Sequence, residues 1–119
     1  MDHFPHIAHS ARSDVGRKRK NNEDAFGEFP DAGIYCVADG MGGGDDGEIA
    51  SSATIRAVEV FVRENPLPDG AAYPIDKYIK GLAGAVNQAS AWIENRTREK
   101  GLKGCGSTFV CLCLDPAHP

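Results

Sequence analysis

The chain has 119 residues, 41% apolar and 25% charged, with a formal net charge of −4. Those values describe one ordinary globular domain, and the acidic balance argues against a general nucleic-acid binder, whose domain is normally basic. No apolar run approaches the roughly 20 residues of a membrane-spanning helix. The first residues, Met1-Asp2-His3-Phe4-Pro5-His6, lack the basic-then-apolar form of a secretory signal, so the expected location is cytoplasmic.

Taken in chain order, residues 7–14 (IAHSARSD) alternate loosely and suggest a first strand. Val15 to Asn22 carries turn residues around the basic run Arg17-Lys18-Arg19-Lys20. Glu23 to Phe29 reads as a second strand, Pro30-Asp31-Ala32-Gly33 as a turn, and Ile34 to Ala38 as a central, apolar strand. A glycine-rich loop follows, and the period then changes. Ala50, Ala53, Ala57, Val58 and Phe61 fall at helical spacing, with Asp45 and Asp46 placed to cap the start and Asn65-Pro66 to end it. Ile75, Ile79, Leu82, Val86, Ala89 and Ile93 mark one face of a second helix that Gly101 and Gly104 stop. Gly106 to Leu114 (GSTFVCLCL) reads as a buried strand needing sheet neighbours on both sides.

Grouped strands around two consecutive helices indicate an α+β layered fold, and too few strands are present to cover the last one, which points to part of a larger domain. Of the four cysteines, Cys36, Cys111 and Cys113 lie in apolar strand-like runs, where cysteine acts as a small buried hydrophobe rather than a disulfide or metal ligand.

Nine of the seventeen acids lie between Asp14 and Glu48. Carboxylates gathered at strand ends are costly unless something positive neutralises them. Mg²⁺ and Mn²⁺ take oxygen ligands and retain waters, which suits Asp39 followed by Gly40, whose carbonyl can turn toward the same ion. Arg19 precedes Glu23 and Asp24 by four and five residues. A guanidinium fork beside divalent cations makes a phosphate site.

The segments "RKNNEDAF", "VADGMGG", "GEIAS" and "GCGSTFVCL" together resemble the metal-dependent serine/threonine protein phosphatases of type 2C (the PPM family), in their bacterial form. The resemblance runs from Ser13 to Leu114. It implies a β-sandwich flanked by antiparallel helix pairs, with a two-metal Mn²⁺ or Mg²⁺ centre at one end. It makes Arg19 the phosphate-binding arginine and Asp39 the aspartate bridging both metals. Gly40 then gives a backbone carbonyl, and Glu23 and Asp24 act on or through metal-bound water. The implied partners are phosphorylated proteins, a serine/threonine kinase or its substrates among them, with no nucleic acid and no membrane. Two departures stand out. The remaining metal aspartates of the family belong to the second half of its domain, so residues 1–119 correspond to its N-terminal portion. Gly44 also replaces the histidine of the bacterial pattern G-M-G-G-H, and Met41 replaces an acid histidine of some members.

Two other functions compete. Gly42-x-Gly44-x-x-Gly47 has the spacing of a dinucleotide site, but Asp45 and Asp46 would meet the pyrophosphate and the next element is a second helix, so the spacing is a decoy. The alternative to catalysis is a truncated or degenerate phosphatase-like module that binds without turnover. His3, His6 and His9 recur every third residue but are interrupted by Pro5 and form no metal motif.

Overall fold

The computed structural model describes residues 4, 7–14, 16, 22–42, 46–67, 74–101 and 104–116. Strand β1 (Asp24–Phe29) and strand β2 (Ile34–Met41) form an antiparallel hairpin, joined by a 3₁₀ turn over Pro30–Ala32. The turn has a local cause. Pro30 presets its backbone, and Gly33 takes a left-handed φ of 66° while its N–H donates to the Pro30 carbonyl at 3.1 Å.

Helix α1 (Asp46–Glu64) lies across β1 and β2, and helix α2 (Ile75–Glu99) packs against α1. Asn65-Pro66 ends α1 as expected, because a residue before proline is pushed out of the helical region. After α2, strand β3 (Gly106–Ser107) and strand β4 (Val110–Cys113) run antiparallel to β2 on its other edge. They keep one register, with Gly40 opposite Ser107 and Val37 opposite Val110, and the ladder is interrupted at Thr108–Phe109. The fold is α+β, as its element order suggests: β2 is central in one antiparallel sheet, and both helices cover the same face.

That face holds the core. Ala32, Ile34, Cys36, Val58, Tyr78 and Leu82 form one buried cluster. Ser51 and Thr54 of α1 are buried beside it, because their hydroxyls donate to the Glu48 and Ala50 carbonyls within the helix. Ala53, Ala57 and Phe61, which the helical spacing singles out, line the groove between the two helices, and Phe61 also packs on the core edge-on to Tyr78.

Two expectations are corrected. Residues 7–14 form no strand; they cross the sheet as irregular chain, since their weak alternation has no partner strand to bond. The last strand is not buried on both faces. Among the described residues β4 pairs with β2 alone, and Val110 and Leu112 are 66% and 56% exposed while Cys111 and Cys113 turn toward the core. The four cysteines are free thiols.

Candidate metal centre and phosphate groove

The hairpin places Asp24 directly opposite Asp39. The hydrogen bonds on either side define the type of pairing. The Gly40 N–H donates to the Glu23 carbonyl at 2.9 Å, whereas Asp39 directs its N–H and C=O to Thr108 on the opposite edge. Asp24 and Asp39 are therefore a non-hydrogen-bonded pair, the kind whose Cα atoms lie only ~4.5 Å apart and whose side chains are closest. Both residues are exposed, on the face away from the helices. Directly opposed like charges destabilise a sheet unless a cation lies between them.

Gly40 is required at its position. A Cβ there would overlap the Gly47 carbonyl oxygen and come 3.0 Å from the Glu23 oxygen. The strand end is thus pressed against the first turn of α1. The Gly40 N–H faces β1, and in a strand the carbonyl of the same residue projects to the same side, toward Glu23 and Asp24.

Glu23 is oriented differently from its neighbour. A Cβ added to Gly47 would lie 2.6 Å from the Glu23 carboxyl carbon, so that carboxylate rests on the first turn of α1. A negative group is favoured there by the helix dipole. Asp24, one residue later, points to the opposite face, as alternation requires. The structure thus brings Asp24 and Asp39 together, with Gly40 beside them, and holds Glu23 on the helix side. Arg19 lies outside the described residues, as do Gly44 and Asp45.

A groove of about 590 Å³ opens over Asp24 and Asp39. Ser10, Arg12, Ser13 and Asp14 form one wall; Phe26, Val37 and Thr108 continue the other. The segment is tied to the hairpin. The Asn22 amide donates to the Ser13 hydroxyl at 2.6 Å, and the Asn22 oxygen accepts the Asp24 N–H at 3.0 Å. Arg12 lines this groove, with its largely exposed guanidinium 3.9 Å from Asp14. No motif marks it, because the contact depends on how residues 10–14 cross the sheet.

The first turn of α1 is fastened from the far end of α2. Asp46 meets Arg96 at 3.9 Å, the Arg96 guanidinium lies 5.8 Å from the Trp92 ring centre, and the Cys105 thiol donates to the Asp46 carbonyl at 3.3 Å. Asp46 is the first helical residue. It acts in the first turn, where a carboxylate is favoured by the helix dipole, and the capping expectation for Asp45 lies outside the described residues.

Two opposed carboxylates with a nearby carbonyl are hard oxygen donors, the chemistry that suits Mn²⁺ or Mg²⁺. They fit part of such a site: among the described residues no three His, Cys, Asp or Glu side chains gather to hold an ion.

No family model matches the sequence. The serine/threonine protein phosphatase PstP of Mycobacterium tuberculosis is 33% identical over 106 residues, covering 89% of this chain and 19% of that protein. Among solved structures, PppA, described as a key regulatory component of T6SS in Pseudomonas aeruginosa, superposes with a TM-score of 0.73 at 31% identity over 87% of this chain and 41% of its own. The catalytic domain of PstP in complex with two manganese ions superposes with a TM-score of 0.71 at 30% identity, over 89% and 42%. The chain thus spans about a fifth of the curated relative and about two fifths of the solved domains. No helix among the described residues is long and apolar enough to cross a membrane.

Proposed function

We propose, for a chain homologous to the PPM-type serine/threonine protein phosphatases over about nine tenths of its length, that it supplies one side of a two-metal phosphatase centre. In this reading residues 1–119 are the N-terminal portion of the catalytic domain. The complete domain hydrolyses phosphoserine and phosphothreonine in proteins of the cytoplasm, the products of a serine/threonine kinase. The observation that carries it is the direct opposition of Asp24 and Asp39 beside Gly40.

When bound, a pair of Mn²⁺ or Mg²⁺ ions supplies a water of lowered pKa and screens the phosphate charge. The chain's own groups do the rest. Asp39 and Asp24 hold cations through carboxylate oxygens, and the Gly40 carbonyl adds a neutral donor. The resemblance gives Glu23 a role through metal-bound water, while its carboxylate rests on the first turn of α1, on the face opposite Asp24 and Asp39. Arg19 takes phosphate oxygens with its fork. Water oxygen bonds to phosphorus as the bond to the serine or threonine oxygen breaks. Met41 cannot donate a proton, so the leaving oxygen takes its proton from water.

The test is Mn²⁺-dependent hydrolysis of an aryl phosphate by the complete catalytic domain and by its Asp39→Asn variant. Loss of even an outer partner of a metal costs ~10–100-fold, so loss of a ligand is expected at or beyond the upper end. Equal rates in the two proteins would sink the proposal. The 119-residue chain alone is expected to show little turnover, because further ligands are needed.

A second reading, a phosphoprotein-binding module without turnover, is motivated by Gly44 in place of the pattern's histidine and by the two fifths of the solved domains that this chain spans. Size-exclusion chromatography with light scattering discriminates: a monodisperse monomer that takes up no phosphoprotein counts against it.

A further inference from the structure

We propose that Thr108 is a positioning residue for Asp39, clamping its backbone so that its carboxylate stays opposed to that of Asp24. The proposal rests on Asp39 being a cation ligand, and names a residue that the acid motifs do not include.

Three hydrogen bonds link Thr108 to this one residue. The Thr108 N–H donates to the Asp39 carbonyl at 2.8 Å; the Asp39 N–H donates to the Thr108 hydroxyl at 3.1 Å; that hydroxyl donates to the Asp39 carbonyl at 3.3 Å. In a regular antiparallel ladder the Asp39 N–H would meet the Thr108 carbonyl. Here that carbonyl accepts the Ser107 hydroxyl at 2.8 Å. Two side-chain hydroxyls thus rewire the ladder beside the acids, where the chain leaves regular strand geometry between β3 and β4.

Thr108 is exposed, so burial of its methyl group does not explain the residue, whereas its hydroxyl acts as donor and acceptor at once. On the other edge of β2 the Gly40 N–H is held by the Glu23 carbonyl. Consecutive residues Asp39 and Gly40 are therefore gripped from opposite strands. Without a cation, repulsion between Asp24 and Asp39 pushes the strand ends apart. The clamp resists that push, so the acids stay in place before an ion arrives.

The test compares the isotope-labelled 119-residue chain with its Thr108→Val and Thr108→Ser variants, by amide hydrogen exchange and by line broadening from Mn²⁺. Thr108→Val keeps the shape and removes the hydroxyl. Exchange of the Asp39 amide is expected to rise about three- to tenfold, the worth of one hydrogen bond, while Cys36 and Ala38, bonded toward β1, keep their rates. Half-broadening at Asp24 and Asp39 should need about tenfold more Mn²⁺. Thr108→Ser should match the parent in both readouts. A Val variant indistinguishable from the parent in either readout overturns the proposal, as does a Ser variant impaired as much as Val. Thr108→Ala gives the same comparison should Val fail to fold. If Mn²⁺ does not broaden Asp24 and Asp39 in the parent, the metal reading falls, and the exchange rates alone decide whether Thr108 fixes Asp39.

Discussion

Along β2, alternate residues meet different surroundings. Ile34, Cys36 and Ala38 lie beneath the helices and are at most 4% exposed, with Gly40 buried against α1. Val37 and Met41, between and beyond them, are 55% and 64% exposed, and Asp39 lies between those two. On the open side Phe26, Val37 and Val110 align in one cross-strand row, which continues as an apolar floor toward the acids. One face therefore carries cohesion and the other carries the acids of the proposed metal centre. The same strand serves both because its side-chain period is two, and Asp39 falls on the open side by parity alone.

The difference predicts a ranked set of effects in urea unfolding. Ile34→Ala, at a site with no exposure, should cost about 3 kcal/mol. A cost below 1 kcal/mol there would break the contrast. Gly40→Ala should cost about 2 kcal/mol, because the new methyl group meets backbone on both α1 and the Glu23 side and neither can turn away. A neutral outcome would mean that α1 is not seated on the strand end.

Next comes an alkaline effect. Burial, with the neighbouring Cys111 adding to it, pushes the Cys36 thiol up to about 12; burial, with Cys113, pushes Cys111 up to about 11. Both thiols keep their protons longer in the folded chain than in the unfolded one. As pH rises above about 9 the unfolded chain loses protons first, so stability falls until the folded thiols ionise near 11 and 12. Below that window these groups leave stability unchanged. Near pH 10 the loss should reach about 1 kcal/mol for each thiol, and Cys36→Ala should remove its share. A profile unaltered by that substitution would remove the thiol as its cause.

The smallest effect belongs to the open face. Val37→Ala and Val110→Ala should each stay within about 0.5 kcal/mol in the 119-residue chain. In the complete catalytic domain the same substitutions should cost several times more if further structure covers this face. Equal small costs in both would show that it stays open.

Much of this was legible in local sequence. The hairpin, the ends of both helices and the place of the acids at strand ends follow from turn residues, apolar period and adjacency to glycine, whereas the register that sets Asp24 opposite Asp39 does not. What escaped depends on contacts that no period records. Ser51 and Thr54 look like surface residues, yet they are buried once their hydroxyls are satisfied inside α1. Glu23 and Asp24 read as one acidic pair, but strand alternation sends them to opposite faces. Gly47 looked like part of a nucleotide fingerprint, and its missing side chain makes room for the Glu23 carboxylate. Arg12 lines the groove only because residues 10–14 pass beside the hairpin instead of joining it as a strand.

The bond between Asp39 and Thr108 spans 69 residues of chain. The two acids, by contrast, meet across a short hairpin. Closing a short loop costs less entropy and happens sooner, so the acids face one another before the residue that steadies them arrives. During synthesis the opposed charges emerge first and wait for the segment that follows α2. Replacing Thr108 should accordingly leave the folding rate nearly unchanged and speed unfolding, a split that stopped-flow chevrons resolve.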